Sequence, residues 1–168
     1  IDYVTIATTG NAIDFGDLSV ARYGLGACSD GTKGVFGGGG DASYSNVIDY
    51  ITISSTGNAT DFGNLTAARL DLTACSDVTK GLWGGGRTTS TDPVVTIDYI
   101  TIASTGDATD FGDLTGARRR FSACSDGTKG VWGGGFVSIK SNVIDYVTIA
   151  TTGNATDFGD LTVARYST

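Results

Sequence analysis

The sequence predicts an all-β protein made of repeated antiparallel sheets, and three observations predict it. All 18 acidic residues are Asp, and Glu, Gln, Met and His do not occur; Glu, Gln and Met favour helices, whereas Asp favours caps and turns. Thr, Val, Ile and Tyr, which suit strands, are frequent. The motif Ile-Asp-Tyr recurs at offsets of 47, 49 and 47 residues. A fixed period in this range is typical of repeat architectures.

The period makes the chain a single repeat domain, 1–168. Its copies are 1–47, 48–96, 97–143 and a partial copy, 144–168. Each full copy has a constant part of 39 residues and then a variable segment, which reads GDASYSNV, RTTSTDPVVT or FVSIKSNV. All of the length variation falls in these variable segments.

Each copy predicts four short strands separated by turn signals. In the first copy these are expected near residues 4–7, 15–20, 25–29 and 33–36, and the others follow at the same period. In the second copy, segment 46–55 alternates, with Ile48 and Tyr50 on one face and Ile51 and Ile53 on the other. Both faces carry large apolar groups, which indicates a sheet covered on both sides.

Short strands at this spacing are typical of a sandwich, a barrel or a propeller, and the strict repeat favours a β-propeller with one four-stranded blade per copy. A β-solenoid with parallel ladders between copies is the alternative. On this interpretation the chain supplies three and a half blades, and a propeller usually needs at least four to close. We therefore expect it to be part of a larger propeller, completed by further repeats or by other protein chains.

The repeats resemble kelch repeats, the blades of kelch-type β-propellers. An aromatic residue precedes a glycine pair, a Tyr lies in the next strand, and an Arg follows the last strand. These positions are Phe36-Gly37-Gly38, Trp83-Gly84-Gly85 and Trp132-Gly133-Gly134; Tyr50, Tyr99 and Tyr146; and Arg22, Arg69, Arg118 and Arg165. Kelch repeats also place a Trp soon after the Tyr, whereas here the nearest aromatic residue is a Phe twelve positions on.

The resemblance implies that the Ala-Cys-Ser strand is innermost, where only small side chains fit. We accordingly expect Cys28, Cys75 and Cys124 to be small buried thiols. Because they hold equivalent places in successive blades, they should lie too far apart for disulfides. The terminal glycines are expected where neighbouring backbones approach closely.

Charge and composition exclude several classes of function. A net charge of −7 argues against nucleic-acid binding, which needs a basic surface, and no apolar run is long enough to span a membrane. Without His there is no imidazole base and no ordinary zinc or copper site, so we expect no metal and no cofactor. Calcium binding by the oxygen-rich GNATDFGD turns stays open.

The Asp of each Ile-Asp-Tyr motif is expected to form a structural pair with an Arg or with backbone groups. These residues are Asp2, Asp49, Asp98 and Asp145. A glycosidase needs two specific acids in one cleft, whereas an acid repeated in every copy indicates a structural role. We therefore expect no catalytic residues and no enzyme activity.

The variable segments and the residues after each Arg leave a four-stranded meander at the same end, and loops of this kind commonly carry recognition. The candidate contact residues are Tyr23, Tyr44, Arg87, Thr88, Arg119, Arg120, Phe136 and Lys140. Neutral drift in exposed loops explains the variation equally well.

The predicted function is a non-enzymatic structural or binding module at a virion or extracellular surface. A tail fibre, a decoration protein or a cell-surface adhesin would fit, with a host glycan or protein as partner. The repeat resembles the duplicated repeats of predicted phage and marine bacterial surface proteins, which implies the same setting. The alternative is a carbohydrate-active enzyme of the sialidase or lyase type on a propeller scaffold.

Overall fold

A computed structural model of the protein describes residues 1–166, which contain strands and no helix. The all-β prediction is therefore confirmed for this part of the chain. The strands are β1 (Asp2–Tyr3), β2 (Ile13–Asp14), β3 (Gly26–Ser29), β4 (Lys33–Gly37), β5 (Val47–Thr52), β6 (Thr60–Asn64), β7 (Thr73–Ser76), β8 (Lys80–Gly84), β9 (Thr96–Thr101), β10 (Thr109–Asp113), β11 (Ser122–Ser125), β12 (Lys129–Gly133), β13 (Ser141–Thr148) and β14 (Thr156–Arg165).

The strands form three four-stranded sheets and one two-stranded sheet, each in chain order. Sheet 1 is β3-β4-β5-β6, sheet 2 is β7-β8-β9-β10 and sheet 3 is β11-β12-β13-β14, while β1 pairs with β2 alone. Every pairing between the described strands is antiparallel. Parallel ladders between copies, which the β-solenoid alternative requires, do not occur within residues 1–166.

The two inner strands of each sheet lie where the sequence predicts them, and the outer two begin earlier than expected. The sequence predicts a strand at 4–7, which corresponds to 51–54 in the second copy. There β5 begins at Val47 and ends at Thr52. The sequence predicts segment 15–20 as the next strand, but β2, β6 and β10 end before the positions equivalent to 18–20, and only β14 (Thr156–Arg165) extends over them. Residues 65–72 leave sheet 1 because they form the connector to sheet 2. Thr66 and Arg69 of this connector bind Asp98 in β9.

Neighbouring sheets meet through an aromatic ring laid over glycines. The Trp83 indole in β8 covers Gly26 and Gly37 of sheet 1, and its Nε1 donates a hydrogen bond to the Gly26 carbonyl at 3.0 Å. A Cβ at Gly37 would lie 2.6 Å from that nitrogen. Trp132 in β12 covers Gly84 of sheet 2 in a similar position, but its Nε1 has no hydrogen-bond partner among the described residues.

Gly37 and Gly84 are thus required by the approach of an aromatic ring and not of a neighbouring backbone. The backbone approach that the sequence predicts occurs at the next glycine, since a Cβ at Gly85 would collide with the Arg118 carbonyl oxygen.

The outer edges of the sheets are joined by backbone hydrogen bonds. Gly57 donates to the Phe15 carbonyl at 2.7 Å, and Gly106 donates to Phe62 and Gly153 to Phe111 at 2.8 Å. Two apolar clusters fill the space between the sheets. One lies between sheets 1 and 2, and the other between sheets 2 and 3. The same contacts therefore recur from one repeat to the next.

Two buried positions predicted from the sequence are exposed instead. Ile53 is 44% exposed, whereas its equivalent Ile102 is fully buried against sheet 1. Ile53 lacks such cover because the two-stranded sheet ahead of it has no inner strands. Cys124 is exposed, whereas Cys75 is buried and packs against Gly130 of the next sheet. Cys28 is half-buried. The expectation of three buried thiols is therefore confirmed in full only for Cys75, and it is wrong for Cys124, since no described sheet covers its face.

Replacing Gly37 by Ala should destabilise the protein, because the new methyl group would collide with the Trp83 ring. Overpacking of this kind costs about 1–3 kcal/mol. Gly133→Ala is the matched control at the same repeat position, where the nearest side-chain atom is 3.8 Å away. Urea unfolding followed by tryptophan fluorescence gives both values, and equal destabilisation by the two variants would contradict the proposed contact.

Candidate recognition surface

A buried ion pair links each connector to the third strand of the following sheet. The pairs are Arg22–Asp49 at 2.9 Å, Arg69–Asp98 at 2.6 Å and Arg118–Asp145 at 2.7 Å, with every side chain at most 2% exposed. The prediction that the repeated Asp pairs structurally with Arg is therefore confirmed at three positions. Asp2, the fourth, is exposed in β1.

The middle pair shows which protein groups bind these buried charges. Arg69 donates to Asp98 and, through its other terminal nitrogen, to the carbonyls of Gly85 at 2.9 Å and Thr96 at 2.7 Å. The Thr66 hydroxyl donates to the free Asp98 oxygen at 2.7 Å. Burial lowers the pKa of Arg69, and the neighbouring Asp98 charge opposes that shift. This network fixes where each connector leaves its sheet.

Two sets of loops leave the sheets at opposite ends. The constant end carries the SDGTKG-type turns and the TGNATD-type turns, because Lys33 at the start of β4 pairs with Thr52 at the end of β5. There Asp30 accepts backbone hydrogen bonds from Lys33 and Thr32, which hold its pKa below the usual range. The variable segments and the connectors leave from the other end, as the sequence predicts for a meander.

Most of the cations belong to the repeat itself. Three Lys residues at the constant end lie over the rings of Tyr50, Tyr99 and Tyr146 at 5.4, 5.4 and 4.9 Å. Together with the four Arg residues that recur at one position of the repeat, namely Arg22, Arg69, Arg118 and Arg165, they account for seven of the 11 Lys and Arg residues. The four cations that break the repeat are Arg87, Arg119, Arg120 and Lys140, and all four lie in the variable loops.

Three of these four cations converge on one carboxylate oxygen. Oδ2 of Asp71 lies 3.2 Å from Nε of Arg87, 3.5 Å from Nη1 of Arg119 and 3.1 Å from Nε of Arg120. Nε of Arg119 also lies 2.7 Å from Oδ1 of Asp92. Three guanidinium groups thus meet two carboxylates, which leaves a local positive charge on a chain of net charge −7.

Aromatic rings extend this cluster on both sides. The Arg87 guanidinium lies 5.5 Å from the Tyr44 ring, and that of Arg119 lies 5.2 Å from Phe136. The rings of Phe136 and Tyr166 are 5.3 Å apart, and the Lys140 ammonium lies 5.8 Å from Tyr166. We call this continuous surface the basic-aromatic band; its members are Tyr44, Asp71, Arg87, Asp92, Arg119, Arg120, Phe136, Lys140 and Tyr166.

Backbone hydrogen bonds between equivalent residues of successive copies bring the band together. Gly24, Asp71 and Arg120 are equivalent in the repeat and have φ values of 63°, 61° and 55°. The Asp71 N–H donates to the Gly24 carbonyl at 2.9 Å, and the Arg120 N–H donates to the Asp71 carbonyl at 3.0 Å. Left-handed backbone is unusual for Asp and Arg, so two side chains are held in place here at some conformational cost.

Six of the eight residues predicted from the sequence lie in the band, and two do not. Tyr23 is 59% exposed and has a backbone bridge to Gly40. Thr88 bonds within its own loop, to Thr91 and to the Ser90 hydroxyl. The sequence reasoning missed Asp71, Asp92 and Tyr166. Asp71 and Asp92 lie in segments that vary between copies, and that signal could have identified both.

Comparison with known proteins gives no match, neither to a family model nor to a curated protein. No helix in residues 1–166 is long and apolar enough to cross a membrane. Over the same residues, no three acidic or cysteine side chains converge as a metal site would need.

Removing the Asp98 carboxylate should strongly destabilise the protein, because Arg69 would remain buried without its counter-charge. Breaking a buried pair on one side costs about 3–5 kcal/mol. Asp2→Ala is the matched control, since it removes the same motif residue where it is exposed, and it should change stability by less than about 0.5 kcal/mol. Urea unfolding of both variants measures their free energies of unfolding. A loss of stability in Asp98→Ala no greater than that in Asp2→Ala would refute the structural role.

Proposed function

We propose that the chain is a non-enzymatic binding module that recognises its partner with the variable end of its sheets. The observation that carries this proposal is the basic-aromatic band. Every cation that breaks the repeat lies in the variable loops, and three of them meet at Asp71. The opposite end keeps its turns nearly constant. Neutral drift accounts for differences in exposed loops but not for the convergence of three guanidinium groups on one carboxylate oxygen.

We further propose that the sheets are blades of a kelch-like β-propeller that continues beyond the three sheets. The support is the outer face of sheet 3. A cavity of ≈ 340 Å³ there is lined by Cys124, Val131, Gly133, Ile144 and Leu161, among others. Its glycine corresponds to Gly37 and Gly84, which Trp83 and Trp132 cover. A further repeat would place its own aromatic ring in this cavity, and other chains with the same strand could do so too.

The setting we propose is a virion appendage or a cell-surface adhesin, with a host glycan or protein as the partner. The resemblance to duplicated repeats of surface proteins supports this setting. A carbohydrate-active enzyme remains the competing function, and it requires two acids in one cleft. The buried Arg–Asp pairs favour the binding role, because Asp49, Asp98 and Asp145 are held in structural contacts.

Making the variable end uniform should abolish recognition and leave the scaffold intact. In this variant, segments 87–96 and 136–143 both take the sequence of 40–47, and Arg119→Tyr and Arg120→Gly copy the equivalent residues Tyr23 and Gly24. These changes remove Arg87, Arg119, Arg120, Phe136 and Lys140. Val78→Gly is the control, because it makes the constant end uniform at a residue that is 79% exposed. Glycan arrays and whole-cell binding measure the result. Unchanged binding by the uniform variant, or sugar turnover lost with a single Asp change, would refute the proposal.

Extending the chain by one repeat should protect Cys124 from thiol reagents. In the present chain we expect Cys124 to react first, because it is exposed, whereas burial raises the pKa of Cys28 to about 12 and also that of Cys75. A copy of residues 70–118 added after Arg165 would place Trp83 in the sheet 3 cavity. Labelling of Cys124 should then slow by at least about tenfold, as expected for a thiol that must be uncovered by local opening.

The added tryptophan supplies an independent readout of the same experiment. A folded extension that leaves Cys124 as reactive as before, with the new tryptophan exposed to solvent, would refute the continuing stack.

A further inference from the structure

The cations of the basic-aromatic band do more than neutralise Asp71. The three Arg residues share one carboxylate oxygen, which cannot accept from most of their N–H groups. A guanidinium group has five N–H donors in a fixed plane. Arg120 is 42% exposed and Arg87 23% exposed at the side chain. Donors are therefore available at the surface beside a carboxylate that already holds the three groups together.

This positive cluster lies on an otherwise acidic protein. Seven of the 11 cations serve the repeat, and the chain has a net charge of −7. The three guanidinium groups outnumber the two carboxylates beside them, so the cluster attracts anions at short range although the protein as a whole is negative. Planar oxyanions such as carboxylates match the guanidinium fork and bind it through two parallel hydrogen bonds.

The aromatic residues of the band indicate which kind of molecule bears the anionic group. Tyr44, Phe136 and Tyr166 flank the cluster, and Tyr166 is 39% exposed. Rings next to polar groups offer an apolar face to a ligand whose other edge is wet. A pyranose ring has such a face, and acidic sugars add the carboxylate.

We propose that the basic-aromatic band binds the carboxylate of an acidic saccharide, with Arg87, Arg119 and Arg120 holding the carboxylate and the flanking rings contacting the sugar. This inference rests on the proposed recognition function and names its ligand class. Asp71 is a positioning residue that gathers the three guanidinium groups, and Asp92 fixes Arg119 from the other side.

The test measures binding by calorimetry to three acidic oligosaccharides, each against a neutral counterpart. The pairs are trigalacturonate and its methyl ester, a hyaluronan tetrasaccharide and its carboxyl-reduced form, and sialyllactose and lactose. At least one acidic sugar should bind, its neutral counterpart should bind at least about tenfold more weakly, and added salt should weaken the binding. The proposal is wrong if no acidic sugar binds better than its counterpart, or if duplex DNA of equal charge binds as tightly.

Variants locate the site. Arg119→Gln and Arg120→Gln should each weaken binding of the acidic sugar by about tenfold, the effect of losing one charge-assisted hydrogen bond. Lys129→Gln is the matched control, because it removes one cation at the constant end, over Tyr146. If Arg119→Gln fails to fold, Arg120→Gln decides alone, since its side chain is more exposed. Unchanged affinity in Arg120→Gln would overturn the proposal.

Whole-cell binding separates this inference from the function on which it rests. If cells bind the wild-type protein and Arg120→Gln equally, and the uniform variant fails to bind, the recognition surface stands and the acidic-sugar assignment falls. If the uniform variant also binds cells, both fall.

Discussion

The buried Arg–Asp pair is the interaction on which the rest of the structure depends. Each pair ties the connector of one sheet to the third strand of the next, with both side chains almost wholly removed from water. Taking two charges out of water is costly and is offset only when hydrogen bonds are nearly complete. Arg69 meets this condition through Asp98 and two carbonyls, and Asp98 through Thr66. These bonds fix the position at which each connector meets the next sheet.

This constraint explains why glycine and tryptophan recur together. Once the connector fixes the spacing of two sheets, the Trp83 ring must fit in the gap between them, and only a residue without a side chain leaves room at Gly37. In a repeat array each unit contacts its neighbours alone, so one good interface can be copied along the chain. The exposed Ile53 and Cys124 mark the faces where a copy of that interface is not present among the described sheets.

Because the constant end holds the sheets together, the loops at the variable end can differ in sequence between copies. Turns at the constant end are held by Asp side chains that accept backbone hydrogen bonds. At the variable end most of the hydrogen bonds that recur between copies join backbone groups, as from Leu70 to Arg87 and from Arg119 to Phe136. The side chains there can therefore differ in size and charge without disturbing the sheets. Stacking then brings residues from different copies together, as Asp71 of one copy and Arg120 of the next show. A surface assembled across repeats is possible because each sheet presents its loops in the same direction.

The sequence by itself determined the all-β class, the repeat, the inner strands, a structural role for the repeated Asp and the end at which the variable residues lie. These follow from local rules, namely strand and turn preferences and a period that makes equivalent residues occupy equivalent places. Six of the eight candidate residues proved to share one surface for the same reason. Only the tertiary structure decided that Asp71 gathers three guanidinium groups, that Asp92 and Tyr166 join them, and that Ile53 and Cys124 are exposed. Side-chain partners across sheets depend on how far each sheet is displaced and turned against its neighbour, and no local pattern along the chain encodes that displacement.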